Sequence, residues 1–336
     1  MKKTYYTINK IVHYKDDNMC IASKGINIYV SKDNENSWER LFSLPVSFFT
    51  KIKNKFKLSK RLFREGIHHI ILFKNIITVF AGKYIYKYNI TTKEFIDTQA
   101  LTGSRPLCVA ITKQGDILYG EYTGNKERKS IRIFKNNYKE KTWEEIYKLK
   151  NIRHIHGIFY DEFTDSIWFT TGDYNEEIGI WNTSDNFVTV SKVLGNNSQQ
   201  YRTVQLLFTK KYVYFGSDTP LEKNYIYRMD RLNKRIERLQ EVSGSIFYGY
   251  NNDKKIFFST VCEPSNVNVS SDVELWISEN GKDWYKEITL KKDIWNKKIF
   301  QYGQIKFPYQ KHKNNYIWIT PYAVKKYDQK SLKIQL

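Results

Sequence analysis

Arginine, histidine and carboxylate recur in this chain at one repeated place, a combination able to bind an anion and move a proton. Arg153, His154 and His156 open an apolar run that extends to Tyr160, a turn covers Asp161 to Asp165, and a second run from Ser166 ends at Gly172-Asp173. Such a pair reads as antiparallel strands joined by a tight turn, with the start of the first beside the end of the second. Arg153, His154, His156 and Asp173 are therefore expected on one rim. The pattern repeats: Arg64 with His68 and His69, Arg105, and Arg202 stand at or just before other first strands, and Glu121, Asp218 and Glu263 end other second strands. Arginine forks hold carboxylate, sulfate or phosphate in bidentate fashion. Paired carboxylates serve as acid and base, or nucleophile, at a glycosidic bond, and histidine transfers protons near neutral pH. His156, Asp173, His154, Glu263 and Tyr302 are read as catalytic candidates, with His156 and Asp173 nearest the centre. Arg64, His68, Arg105, Glu121, Arg153, Arg202 and Asp218 are read as ligand-binding, and Tyr201 and Gln304 as completing the site. The plainer alternative is a ring of arginine–carboxylate pairs that only stiffens a channel mouth.

The elements that would position these residues come from an internal repeat. An apolar strand, a turn, a second strand rich in Ile, Tyr, Phe and Trp, and two more polar strands recur every 40 to 60 residues or so, the blade length of a propeller. First strands begin near Ile8, Ile67, Pro106, His154, Thr203, Ser245 and Tyr302. The expectation is an all-β chain, one β-propeller over residues 1–336 with four-stranded antiparallel blades. Seven blades are expected, or six if the first and last segments complete one blade.

Residues 45–64 break the repeat between the first and second units. Phe49, Ile52, Phe56 and Phe63 fall at roughly helical spacing among five lysines and two arginines. A basic amphipathic helix on the site face is expected. It would lie on an anionic membrane, or else cover the propeller mouth with its lysines in water.

The chain has 336 residues and a formal net charge of +20, from 55 Lys+Arg against 35 Asp+Glu. That balance favours anionic partners: an acidic glycan, a phospholipid surface or nucleic acid. No lysine-rich nucleic-acid module is present, so nucleic acid is not expected. Cys20, Cys108 and Cys262 are far apart and odd in number, which reads as three buried thiols in a reducing compartment. The N-terminus carries lysines without an apolar run behind them, and no stretch is long enough to span a bilayer. A cytoplasmic location is expected, peripheral to the inner membrane if the insertion binds lipid. Walker, GxGxxG and HExxH motifs are absent from the sequence. His68, His69, His154 and His156 would hold a metal only if two blades brought them together; histidine–carboxylate hydrogen bonds are expected instead, with no metal and no cofactor.

Two hairpins carry a family resemblance. Ser31-Lys32-Asp33-Asn34-Glu35-Asn36-Ser37-Trp38 and Ser278-Glu279-Asn280-Gly281-Lys282-Asp283-Trp284 resemble the Asp-box, the Ser-x-Asp-x-Gly-x-Thr-Trp turn of bacterial neuraminidase-repeat propellers. Glu35 replaces the family's glycine in the first copy; the second is one residue short and has Asn280 for Asp. A weaker echo ends at Thr142-Trp143. The resemblance implies a sialidase-like propeller, with these turns opposite the site and Trp38 and Trp284 buried beside them. In sialidases three arginines hold the substrate carboxylate, an Asp is the acid and a Glu-assisted Tyr is the nucleophile. Phe63-Arg64 matches the start of that family's Phe-Arg-Ile-Pro motif. The functional expectation is a propeller acting on, or binding, an acidic oligosaccharide or polysaccharide in bacterial polysaccharide metabolism. As an enzyme it would be a glycoside hydrolase or a polysaccharide lyase, and the histidines suit a lyase better. The alternative is a non-catalytic propeller peripheral to the membrane.

Overall fold

The structure is a computed structural model that describes residues 5–54, 56–63 and 66–336. Seven sheets form the blades of a β-propeller, each with four antiparallel strands in chain order. The innermost strands of the first six blades are Ile11–Asp16, Ile67–Phe73, Val109–Ile111, Ile155–Asp161, Thr203–Phe208 and Ile246–Asn251. The seventh blade is built from both ends of the chain. Gln304–Lys306, Tyr316–Tyr322 and Ser331–Gln335 take Tyr6–Ile8 as their outer strand, in the register Tyr6↔Lys333 and Ile8↔Ser331. Ile8 thus closes the last blade and does not start the first. A further short strand, Tyr309–Lys311, pairs parallel with Ile11–Asp16 and ties the last blade to the first a second time.

Blade packing explains the sequence pattern. The second strand lies between two neighbouring blades, so both its faces are covered and it reads as a continuous apolar run. Ile76–Ala81 is buried at every position. Aromatic pairs cross the blade interfaces: Phe42 stacks on Tyr88 at 4.0 Å between centroids, and Phe80 meets Tyr119 at 5.9 Å. Outer strands such as Glu94–Ala100 have one side in water and are polar.

The turns from third to fourth strand share one hydrogen-bond pattern. Asp33 accepts from the Ser31 hydroxyl at 2.7 Å and from the Ser37 amide and hydroxyl at 3.0 and 2.6 Å. Asn280 accepts from the Lys282 and Asp283 amides at 2.9 and 2.8 Å. Asp185 repeats the scheme, with the Thr183 hydroxyl at 3.0 Å and the Thr189 amide at 2.9 Å, in a segment that no tryptophan marks. Glu35, Phe187 and Gly281 all have φ of 69°. This left-handed position favours glycine, and a Cβ on Gly281 would lie 2.1 Å from the Tyr214 hydroxyl. Glu35 accepts the strain and is buried between Lys15 at 3.3 Å and Lys333 at 2.8 Å. Trp38 and Trp284 are half-buried, not buried as expected. Both directly precede outer strands, where one ring face packs on a neighbour such as Phe258, 5.6 Å from Trp284, and the other stays at the blade edge.

The insertion holds two short helices in place of the expected single one: α1 (Phe48–Lys53) and α2 (Lys57–Phe63). At the C-terminal end of α1, Asn54 bonds the Thr50 carbonyl with both its amide N–H (3.0 Å) and its side chain (2.9 Å). The Ser59 hydroxyl of α2 donates back to the Lys53 carbonyl at 2.6 Å, folding one helix onto the other. Among the described residues, no helix is long and apolar enough to cross a membrane.

Candidate functional site

Innermost strands are not regular where they reach the channel. The pairing skips a residue between Val12 and Tyr14, Ile67 and His69, Ile155 and Gly157, and Ile246 and Tyr248. The extra residues are His13, His68, His156 and Phe247. A bulge re-aims the side chain of its unpaired residue, and three of these four are histidines. Gly157 follows from the same geometry, since a Cβ there would meet the Phe159 ring at 2.4 Å and the Val204 carbonyl at 2.7 Å.

A cavity of about 310 Å³ opens on the face where first strands begin. Among its lining residues are Arg105, Arg153, His154, His156, Asp173 and Arg202. His68, Asp218, Glu263, Tyr302 and Gln304, all expected at the site, line it too. Three residues fall elsewhere. Arg64 lies outside the described residues. Glu121 ends its second strand as expected but turns outward to the next strand. There Arg132 holds it through Nη2 at 2.7 Å, Nε at 3.0 Å and its backbone N–H at 2.8 Å. Tyr201 packs toward Phe215, 6.4 Å between centroids.

Asp173 is the hub. Arg153 Nη1 reaches its Oδ2 at 2.6 Å, Arg202 Nη2 its Oδ1 at 3.3 Å, and His156 Nε2 the same Oδ1 at 3.1 Å. His154 Nε2 lies 3.7 Å from Oδ2. Burial alone would push the Asp173 carboxyl up, but the His154 and His156 side chains beside it, with the charge of Arg202, outweigh this and hold the group well below the usual carboxylate range. Asp218 and Glu263 go the other way. Burial pushes both up; for Asp218 the neighbouring Glu263 and Asp173 charges add to this, against the pull of Arg202 at 3.5 Å. Burial also lowers His156, to about 4. The cavity thus holds one carboxylate kept ionised, two carboxyls biased toward the protonated form, and a neutral imidazole. This is an acid and base set split by environment.

Residues unforeseen from the sequence complete the wall. Arg61 of α2 is 1% exposed; its Nη2 pairs with Asp293 at 2.9 Å and its guanidinium lies 5.0 Å from the Trp295 ring centre. Tyr122, Phe247, Tyr248 and Tyr322 add aromatic surface, and the Tyr122 ring sits 4.3 Å from that of His154. Lys306 lines this cavity and a second one of about 490 Å³ on the opposite side of the channel waist. Burial and the Arg105 charge lower its ammonium to about 8. Cys108 lines the second cavity and is half-buried, while Cys20 and Cys262 are buried; all three thiols are free.

The waist histidines make a pH prediction. Burial lowers His13 to about 3 and His69 to about 4. Each is neutral when folded and takes up a proton near pH 6.5 when unfolded. Their share of stability is whole above about pH 6.5 and is lost as pH falls toward the folded values. His13→Gln should narrow the stability gap between pH 7 and pH 5 by roughly 2 kcal/mol, read by urea denaturation at both. An unchanged gap would mean His13 is already protonated in the fold.

No protein-family model matches the sequence, and no curated protein matches it. Among solved structures, 1202 chains match. One is a chain of a structure entitled "Crystal Structure of Mitotic Checkpoint Complex", at a TM-score of 0.59 and 10% identity, covering 97% of this chain and 89% of that one. The likeness is one of fold. Nothing about the cavity's chemistry is carried by it.

Proposed function

We propose that the cavity binds an acidic glycan and that the protein works in polysaccharide metabolism. The observation that carries this reading is the gathering of Arg105, Arg153 and Arg202 in one cavity with Asp173 and His156. The cavity size falls in the range of small-molecule sites. Guanidinium groups supply forks for a carboxylate or sulfate, and tyrosine faces supply stacking surface for sugar rings. The net charge of +20 draws anions from a distance. The setting in polysaccharide metabolism rests on the resemblance of the Ser31–Trp38 and Ser278–Trp284 turns to Asp-boxes. Arg105→Ala should weaken an acidic oligosaccharide about tenfold or more, since a charged hydrogen bond contributes roughly 1.5–3 kcal/mol. Lys32→Ala and Lys282→Ala, on the opposite face, should leave affinity unchanged. Equal losses in all three would show that only diffuse charge matters. In its enzymatic form the reading is cleavage of the bound glycan, with a protonated Asp218 or Glu263 as acid and His156 as base. His156→Gln would then abolish turnover while leaving binding largely intact.

A second reading concerns the insertion and is favoured by its exposed face. Phe48, Phe49, Ile52, Phe56, Leu58 and Leu62, on the two helices or between them, are 40 to 76% exposed, and α1 also carries Lys51 and Lys53. Helices that turn large apolar side chains to water beside lysines fit an anionic bilayer surface. Phe48→Ser with Phe49→Ser should abolish sedimentation with vesicles containing phosphatidylserine, and Lys51→Gln with Lys53→Gln should weaken it in low salt only. Sedimentation of the phenylalanine variant at the wild-type level would refute membrane contact.

A further inference from the structure

We propose that His154, His156 and Asp173 form a binding site for a first-row divalent cation in the wall of the cavity. The far side of each ring fixes its tautomer. His154 Nδ1 lies 2.8 Å from the Thr123 carbonyl oxygen, and His156 Nδ1 lies 3.2 Å from the Thr203 carbonyl oxygen. A carbonyl has no proton to give, so both Nδ1 atoms donate. In a neutral ring that leaves Nε2 as a bare lone pair.

The two lone pairs face each other. His154 Nε2 and His156 Nε2 are 3.0 Å apart, and His156 Nε2 is 3.1 Å from Asp173 Oδ1. The three side chains are 2 to 6% exposed, and one ligand atom from each lies within 4.8 Å of the others. Three acceptors pressed together away from water repel one another unless a positive centre joins them. A metal with bonds of about 2.0–2.1 Å holds neighbouring ligand atoms roughly 2.8–3.4 Å apart at octahedral or tetrahedral angles. Two of the three edges, 3.0 and 3.1 Å, match that spacing, and the third, from His154 Nε2 to the nearer Asp173 oxygen, is wider at 3.7 Å.

The surroundings orient the ligands as metal sites require. Metal-binding histidines donate their other N–H to a carbonyl or carboxylate, as both do here. Arg153 holds Asp173 by Oδ2 at 2.6 Å and leaves Oδ1 directed at His156. Arg202, 3.3 Å from Oδ1, is the competing cation, and its charge is shared with Asp218 at 3.5 Å. Two imidazoles and one carboxylate suit Zn²⁺, Fe²⁺, Mn²⁺ or Co²⁺. All three residues line the cavity, so the remaining coordination positions would open toward whatever binds there. The site does not depend on glycan binding, but a cation on His156 Nε2 leaves that ring no lone pair to act as a base, so cation binding and the His156-base form of the enzymatic reading exclude each other; the test uses no glycan.

The test is a Co²⁺ titration of the full chain, free of any polyhistidine tag and stripped with EDTA. One equivalent of Co²⁺ should give a saturable visible d–d band, displaced by Zn²⁺, and Zn²⁺ should raise Tm. His154→Gln and His156→Gln should each weaken Co²⁺ binding by at least about 100-fold. His13→Gln and His312→Gln, buried and half-buried histidines outside the cluster, should bind as the wild type does. Absence of the band in the wild-type chain overturns the proposal, whatever the variants do. So does an NMR-detected proton shared between the two Nε2 atoms that persists at saturating Zn²⁺, because the positive centre would then be a proton. Equal loss in the His13 variant would overturn it as well.

Discussion

Replacing Arg202 with alanine is expected to cost the fold about 3–5 kcal/mol at pH 7, the usual penalty for breaking a buried ion pair from one side. Much of that cost should return on acidification. Arg202 is 9% exposed and serves Asp173 at 3.3 Å and Asp218 at 3.5 Å, and its charge also acts on Glu263. Without it, the buried carboxyls face one another with less positive charge among them. Asp218 and Glu263, already pushed up by burial, would rise further. For a carboxyl raised in the folded state, stability is full below the unfolded value near 4 and is lost as pH rises through the folded value. The penalty is therefore largest at neutral pH and shrinks toward pH 5. Urea denaturation of wild type and Arg202→Ala at the two pH values reads it directly. A loss that is equal at both, or under about 1 kcal/mol at pH 7, would mean that the carboxyls do not depend on this arginine.

Arg61→Ala is the second large effect, and it should be local. Asp293 at 2.9 Å, Asp328 at 3.6 Å, the Gln301 carbonyl at 3.4 Å and the Trp295 ring hold this guanidinium. The flanking apolar residues of α2, Leu58, Leu62 and Phe63, are 45 to 58% exposed, so little else pins the helix. Removing about 3–5 kcal/mol of buried pairing should speed amide exchange in α2 by 100-fold or more, with blade amides unaffected. Arg61→Lys should restore only part, because an ammonium makes neither the fork nor the ring contact. Uniform acceleration across all blades would show that Arg61 supports the whole propeller.

Blade order and the site face were readable because both rest on local rules. Apolar second strands such as Ile76–Ala81 alternate with polar outer strands, and strand starts meet second-strand ends by antiparallel geometry. That rule alone places Arg105, Arg153, Arg202, Asp173, Asp218 and Glu263 on one rim. It does not tell inward from outward. Glu121 obeys it and is claimed by Arg132 of the adjacent strand, a cross-strand pairing with no one-dimensional signal. The bulges at His13, His68 and His156 were equally hidden, since Val12-His13-Tyr14 reads as ordinary strand. Arg61 looked like one more solvated charge on an amphipathic helix, and only the loop at Asp293 to Gln301, over 200 residues away, makes it a buried anchor. The turn at Thr183 to Thr189 has no tryptophan after it to mark it in the sequence, although its side-chain bonds repeat those around Asp33.

The proposed acidic-glycan binding turns on recognition of negative charge on a sugar. Its most direct test is calorimetric titration of the wild-type chain with an acidic oligosaccharide and with the same oligosaccharide after its carboxyls are reduced to alcohols. Size, linkage and stacking surface are then held constant and only the charge differs. Saturable one-to-one binding of the acidic form is expected, with the reduced form weaker by about 100-fold, as the loss of two charged hydrogen bonds implies. Equal affinity for the two forms, or no binding of any acidic oligosaccharide across a panel of uronates and sialic acids, would contradict it.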